Sequence, residues 1–294
     1  MADTAGQAEI RGIDIQKLAD GFADVGVILS SYIPTIAASA REMRWYSKTS
    51  GAGSSNFLSS PTTTGVTTDM IETASKAMPV VIENSYTRNT SYVKKFFASS
   101  PLISIEDLKD CDPDVWGDLI RDTVRAVNKK KDARALTVLD AAGCGTAAAT
   151  GNGWNVDADA DPVLDFLAAI ESIESYGYNA GDLIAYMNPA EKKWLLRWLI
   201  TVKGSSIPGF SSSKVENGEV MTLLGVKIVS DPLRPTDTVT IFSPSQAVKY
   251  KEFVPLTTAV IDEPGVGKTV RVWLEGEFIR MNPLAVFKLT DTIN

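Results

Sequence analysis

The chain has 294 residues, 44% of them hydrophobic and 22% charged, with a net charge of -7 and no histidine. Those values suit one large globular domain or two smaller ones, while the missing imidazole removes Ser-His-Asp and Cys-His nucleophilic sites, histidine metal sites and histidine pH switches. The acidic balance argues against strong, general binding to nucleic acid, which needs clustered positive charge.

Met1 to Arg11 carries no apolar core flanked by positive charge, so no secretory signal is expected. No later run approaches the ~20 apolar residues that cross a bilayer, so no membrane contact is expected either. Residues 1 to about 40 read as an arm. Ile10, Ile13, Leu18 and Phe22 are apolar, but Gly12, Gly21 and Gly26 interrupt any long helix. Val25 to Ile36 is apolar enough to pack. Arg41 to Lys48 alternates, with Met43 and Trp45 on one face and Arg44, Tyr46 and Lys48 on the other, which predicts a strand. Ser47 to Thr68 is dominated by Ser, Thr and Gly and predicts a loop. Residues 80–97 return to β-favouring composition. Together these stretches predict a two-stranded excursion with a polar tip, which is marginal alone and needs a surface to lie on.

The strongest helix signal follows, over Asp114 to Leu139. Asp112 or Asp114 can cap it, with Pro113 in its first turn. Trp116, Leu119, Ile120, Val124, Val127, Ala135, Leu136 and Leu139 fall mostly at three- and four-residue spacing, over a length of ~39 Å. Lys129, Lys130 and Lys131 read as a solvated face that complements the helix dipole, with weak contact to phosphate backbones as the alternative. Gly143 to Trp154 reads as a Gly/Ala loop. It follows a helix and lacks the Gly-x-Gly-x-x-Gly spacing of a dinucleotide site. Asp157, Asp159 and Asp161 alternate like the start of a calcium loop. Pro162 and Ala168 stand where that loop needs Gly and Glu, so no metal site is expected. Asp161 instead predicts a cap, with Pro162 opening a helix whose core face is Val163, Phe166, Leu167, Ile170 and Ile173. Cys111 and Cys144 have neither metal spacing nor disulfide density, which favours a reducing cytoplasmic setting.

Asp182 to Met187 predicts a short buried strand. Asn188, Pro189, Ala190 and Glu191 resemble a capping box ahead of a helix that buries Trp194, Leu195, Trp198 and Leu199. Lys203 to Gly218 is a Ser/Gly loop. Strands are expected over 223–230, 239–242, 246–250, 254–260, 269–274, 277–281 and 284–289. The order of arm, ribbon, long helix, mixed domain and strands is α+β, not an alternating doubly wound sheet.

Gly267-Lys268-Thr269 tempts a reading as a phosphate-binding loop. That motif needs a glycine at position 262, where Asp262 places a negative charge, and a helix after it. Thr269, Arg271, Trp273 and Glu275 alternate with Val270, Val272 and Leu274, the period of a strand. Pro264 to Gly267 therefore reads as a turn between strands.

Several stretches, in this order, resemble the major capsid proteins of tailed double-stranded DNA viruses, the Hong Kong 97 fold. "LISIEDLKDCDPDVWGDLIRDTVRAVNKKKDARALTVLDAAGCGT" is similar to that family's long spine helix with its lead-in and its Gly-rich exit. "DLIAYMNPAEKKWLLRW" resembles the strand, Asn-Pro and helix of the axial domain. "LLGVKIVSDPL" resembles a later strand pair, and "VRVWLEGEFIRMNPLAVFKLT" the closing strands. The likeness covers about residues 40–292. It implies an N-terminal arm at 1–40, an extended loop at 41–100, a peripheral domain at 101–155 and 246–294 around the spine helix, and an axial domain at 156–245.

What the resemblance implies for function is a structural virion protein, assembled in the host cytoplasm. It would self-associate into hexamers and pentamers of an icosahedral shell around double-stranded DNA. The implied partners are further copies of the chain, a portal, separate scaffolding or decoration proteins, and weak contact with packaged DNA. No catalytic, cofactor-binding or metal residue is expected. Some members carry a cleaved N-terminal scaffolding segment; here Met1 precedes only a short arm, so a separate scaffold or none is expected. Some join subunits by Lys–Asn isopeptide bonds. Lys48 and Lys76 lie in or near the loop and Asn282 elsewhere, but no motif fixes such a pair. The alternatives are an encapsulin-type compartment on the same fold, a P-loop NTPase, a carboxylate hydrolase using a pair such as Glu275 and Glu277, and a tail or baseplate protein.

Overall fold

The computed structural model describes residues 28–50, 85–110, 115–156, 159–201 and 222–293. The arm signals before residue 28, most of the Ser/Thr-rich loop, Pro113, Asp157 and the 203–218 loop lie outside them. Among the described residues one compact unit holds Lys95–Lys130 and Val254–Glu275. The other lies within Val27–Lys94, Lys131–Phe253 and Gly276–Asn294.

Helix α1 (Leu29–Tyr32) leads into β1 (Thr35–Ala37), which pairs parallel with the start of β11 (Val248–Glu263), Thr35 opposite Tyr250. β2 (Glu42–Ser50) and β3 (Ser85–Tyr92) form a separate two-stranded antiparallel sheet, from Glu42 opposite Tyr92 to Ser50 opposite Ser85. The predicted ribbon is therefore present. Its first strand runs on through 47–50, which composition alone assigns to the loop, because each residue there has a β3 partner except at one register shift. β4 (Lys94–Ser99), β5 (Ile103–Ser104) and α2 (Ile105–Asp110) follow.

The long helix α3 (Val115–Leu139) spans the predicted range. Val127, Ala135 and Leu139 are buried along it, while Trp116, Leu119 and Ile120 are half-buried. Lys129 and Lys130 are exposed as expected. Lys131 is a correction: it is half-buried, with Nζ 4.1 Å from the centre of the Tyr250 ring, because the helix turns that position toward β11.

A six-stranded mixed sheet runs in the order β6 (Gly145–Ala148), β13 (Val286–Thr290), β10 (Thr238–Phe242), β7 (Ile184–Met187), β9 (Val226–Ser230), β8 (Thr222–Leu223). β13 is parallel to β6 and antiparallel to β10; β7 is parallel to β9. The predicted Gly/Ala loop thus contains an edge strand. Small residues there let β6 lie beside β13, and a Cβ on Gly145 would stand 2.6 Å from the Phe287 ring.

One side of this sheet is covered by α4 (Pro162–Ser175) and α5 (Pro189–Thr201). Ala185, Met187, Ile228, Val239, Ile241, Phe287 and Leu289 meet Phe166, Ala169 and Ile173 of α4 and Leu195, Trp198 and Leu199 of α5 in one core. Asp161 caps α4 as predicted, its Oδ1 accepting from the Leu164 amide at 3.1 Å, with Pro162 first in the helix. Leu167 is a correction: it is 46% exposed, and Ala169 takes the core position instead. Asn188 caps α5 through the Ala190 amide. The buried Glu191 turns its carboxylate to the Asp237 amide at 2.5 Å and not back onto that cap.

The closing third differs from expectation in four places. Gln246 and Ala247 lie in a short helix, α6 (Pro244–Ala247), because Pro244 sets its first turn and both amides return to the Ser243 carbonyl. β12 (Gly267–Arg280) is one strand through Gly276, where two were expected, and β11 is likewise unbroken. Leu284 sits in a 3-10 turn (Pro283–Ala285) before β13.

Candidate assembly surfaces and the ionic clusters behind them

The Gly-Lys-Thr stretch lies at the start of β12, beyond a turn closed by the Val266 amide on the Glu263 carbonyl at 3.0 Å. Gly265 takes φ +80°, the left-handed region where glycine is free of Cβ strain. Gly267 has a different reason to be glycine. It pairs with Ser104 of β5, and a Cβ there would overlap the Ile103 carbonyl oxygen. Lys268 ion-pairs Asp262 across the turn at 3.7 Å, both side chains being well exposed. The residues after the motif form a strand, so its amides are not gathered at a helix N-terminus to cradle phosphate.

The ribbon has two unlike sides, because side chains alternate along a strand. On one side Glu42, Arg44 and Tyr46 stand opposite Tyr92, Thr90 and Arg88, with Tyr86 beyond. Tyr46, Tyr86 and Tyr92 are exposed by 63%, 60% and 65%, an aromatic content suited to contact with protein. Arg44 Nε donates to Glu42 Oε1 at 2.6 Å, and that bond draws the Glu42 carboxyl below its ordinary range. On the other side Met43 is buried and Trp45 half-buried. Arg41, at the base, stacks its guanidinium 5.7 Å from the centre of the Phe253 ring.

The ribbon's end is held by charge. Glu277 of β12 is fully buried, and its Oε1 takes both Nε and Nη2 of Arg134, each at 2.8 Å. Lys94, two residues past the ribbon at the start of β4, brings Nζ to 3.8 Å from Glu277 Oε2. One carboxylate therefore ties the long helix, β12 and the ribbon's exit together. In the other unit Lys95 pairs with Glu275 at 3.7 Å. Glu275 and Glu277, the pair of the hydrolase alternative, are thus each met by separate cations.

Three more acids act as staples. Asp132, on the buried side of α3, accepts the amides of Ile28 at 3.0 Å and Ser30 at 3.1 Å, and so caps α1. Asp140, just after α3, accepts from Arg234 Nη1 at 2.6 Å and Thr240 Oγ1 at 2.8 Å, with Lys288 Nζ at 3.9 Å. An acid at a helix C-terminus opposes the dipole; here the cations offset it. Asp165 accepts from the Thr150 amide and hydroxyl and from Trp154 Nε1, at 2.9, 2.6 and 2.7 Å, which pins the chain between β6 and α4.

Burial pushes the Tyr186 hydroxyl well above its ordinary range, and its bond to Asp231 at 2.6 Å adds to the effect. Burial also raises Tyr250 and Glu191. It lowers Lys131, against the pull of Glu252 and Asp132. Among the described residues no group of three His, Cys, Asp or Glu could hold a metal ion, and no helix is long and apolar enough to cross a membrane. Asn282 donates its amide to the Gln246 carbonyl at 3.0 Å. Lys76 lies outside the described residues.

Arg134, Asp132, Asp140 and Arg234 were not singled out in the sequence, and Glu277 was named there only as half of a carboxylate pair. A signal existed for one: Asp132 lies three residues before Ala135 and seven before Leu139, an acid on an apolar stripe. The others pair across long separations that no local pattern reports.

Comparison with known proteins gives a consistent result. The family described as phage capsid protein matches residues 88–289. Among solved structures, one from Mycobacterium phage Che8 is 14% identical, with a TM-score of 0.69 over 97% of this chain and 99% of that one. The capsid structure of the cyanophage P-SCSP1u is 12% identical, with a TM-score of 0.70 over 96% and 92%. A virus-like particle from Pyrococcus furiosus is 13% identical, with a TM-score of 0.56 over 88% and 90%. At such identities the likeness is one of fold. No curated protein matches in sequence.

Proposed function

The chain belongs to the phage capsid protein family, and from this premise we propose how it works as a major capsid subunit of a phage shell. It assembles into hexamers and pentamers of an icosahedral virion that enclose double-stranded DNA, and it does so without catalysis. The family match over 88–289 carries this reading. The Hong Kong 97-type architecture of ribbon, long helix and mixed sheet supports it.

Residues 1–40 serve as the arm, 41–100 as the extended loop, 101–155 and 246–294 as the peripheral domain, and 156–245 as the axial domain. The separate β2–β3 sheet supports the second of these. A two-stranded ribbon is marginal alone, and its tyrosine-bearing side suits a neighbouring subunit. The partners are further copies of the chain, a portal, and separate scaffolding or decoration proteins. Lys129 and Lys130, exposed on α3, offer weak contact to packaged DNA. A compartment enclosing protein cargo has less support, since the family that matches is described as phage capsid protein.

Electron microscopy of the concentrated protein, with the 260/280 nm absorbance ratio of any particles, tests this. Closed shells or hexamer sheets are the expected result. Shells filled with a second protein would move the reading to a compartment. A monomer that stays single even beside its neighbouring viral gene products would overturn both.

A further inference from the structure

The segment between β6 and α4 carries a turn at Gly151-Asn152-Gly153. Asn152 is exposed, and among the described residues its side chain has no hydrogen-bond partner. The other described asparagines are placed differently. Pro189 and Pro283 follow Asn188 and Asn282, and proline has no N–H. Asn179 Oδ1 holds the Gly181 amide at 2.8 Å. Asn128 lies within α3. Asn89 and Asn155 have partners and precede the β-branched Thr90 and Val156. Among the described residues only Asn152 is a free carboxamide followed by glycine, whose missing Cβ leaves the next amide nitrogen uncrowded. Both ends of the turn are held. The Thr150 amide and hydroxyl donate to Asp165. Trp154 is fully buried, its amide donating to the Thr292 carbonyl at 2.8 Å and its Nε1 to Asp165 at 2.7 Å.

We propose that Asn152 is a modification site, where slow deamidation through a cyclic imide converts the asparagine to aspartate and isoaspartate. The Gly153 nitrogen attacks Asn152 Cγ. A bond forms between them, the Cγ–Nδ2 bond breaks, and Nδ2 leaves as ammonia with the former amide proton. Water then opens the ring. Cleavage at Cγ gives aspartate, and cleavage at the main-chain carbonyl gives isoaspartate, in which the chain runs on through Cγ. Gly153 is buried, so its amide meets base as the turn opens. Either product adds a negative charge to a chain of net charge -7. Isoaspartate also lengthens the main chain by a carbon between the anchors at Thr150 and Trp154. The turn has to absorb that carbon, which strains the Trp154 bonds to Thr292 and Asp165; aspartate leaves the main chain as it was. The chemistry is independent of the shell reading.

The test holds the full chain in mildly alkaline buffer at body temperature, beside a synthetic peptide of the same local sequence. Both are then mapped by mass spectrometry, with fragmentation that separates aspartate from isoaspartate. The fragment containing Asn152 should gain the mass of an NH2-to-OH exchange ahead of every other described asparagine. Mapping keeps it apart from Asn217-Gly218, which lies outside the described residues. Conversion should quicken as pH rises, because the attacking amide must lose its proton, and both products should appear. Isoelectric focusing should show a shift to the acidic side. Asn152→Gln should lose that shift at this site, because its ring needs a further atom. Asn152→Asp should melt like fresh wild type, since the side chain is exposed, while aged chain rich in isoaspartate should melt lower. An Asn152 that stays intact while the peptide converts overturns the proposal. Conversion to aspartate alone also overturns it, since direct hydrolysis needs no ring. Aged chain that melts like Asn152→Asp overturns the link to Trp154.

Discussion

Tyr250 occupies the space that a side chain at position 276 would need. A Cβ on Gly276 would overlap its hydroxyl and stand 2.7 Å from the Lys251 carbonyl oxygen. Gly276→Ala is expected to cost about 2 kcal/mol, the scale of overpacking a tight core, read from urea denaturation. The Tyr250 hydroxyl has no hydrogen-bond partner among the described residues, so adding Tyr250→Phe should recover part of that loss. Glu191 gives a pH prediction. Burial raises its folded pKa above the ordinary 4.5, so the native chain holds this proton at pH values where the unfolded chain has released it. The cost of the buried charge is therefore fully present above the folded pKa, and stability from this group rises as pH falls toward 4.5. Glu191→Gln should be more stable than wild type near neutral pH, with the difference shrinking as pH falls. A difference that does not change with pH would show that the carboxylate is not the cause.

At the scale of elements, the coupling of ribbon, β12 and long helix rests on one side chain. Glu277→Ala would leave Arg134 without its buried counter-charge and Lys94 without an anchor. Removing one partner of a buried pair costs about 3 kcal/mol. The expected outcome is a lower denaturation midpoint, with faster amide exchange at the end of β3 and the start of β4. Faster exchange confined to β12 would show that the ribbon is held by other contacts. The helices were readable from their own residues: α3 from three- and four-residue spacing, and α4 from Asp161 and Pro162, because caps and periodicity are local. β6 and the unbroken β12 were not. Gly145 and Gly276 look like interruptions in sequence, yet each is small because Phe287 or Tyr250 packs against it.

For the whole molecule, copies of a chain of net charge -7 repel one another, which gives shell assembly a defined response to salt. Screening shortens the reach of that repulsion to ~8 Å at physiological ionic strength and ~3 Å at 1 M. The protein concentration needed for shells should therefore fall between 0.05 M and 0.5 M salt, by roughly tenfold. Assembly that weakens with salt would place opposite charges across the main contacts instead.

The sequence by itself determined the helices, with the caps of α4 and α5, the alternation of the ribbon, the absence of imidazole chemistry and the strand character of the Gly-Lys-Thr stretch. These depend on residues within one or two turns of each other. The order of its segments also carried the family likeness, since order survives when individual residues do not. Only the tertiary structure decided which acids are neutralised, as with Glu277 by Arg134 across 143 positions and Asp140 by Arg234 across 94. It alone showed that two glycines mark close packing and not turns, and that α4 and α5 cover the same side of one sheet. Such facts depend on which distant surfaces meet, and that is set by burial summed over the whole core, which no local spacing records.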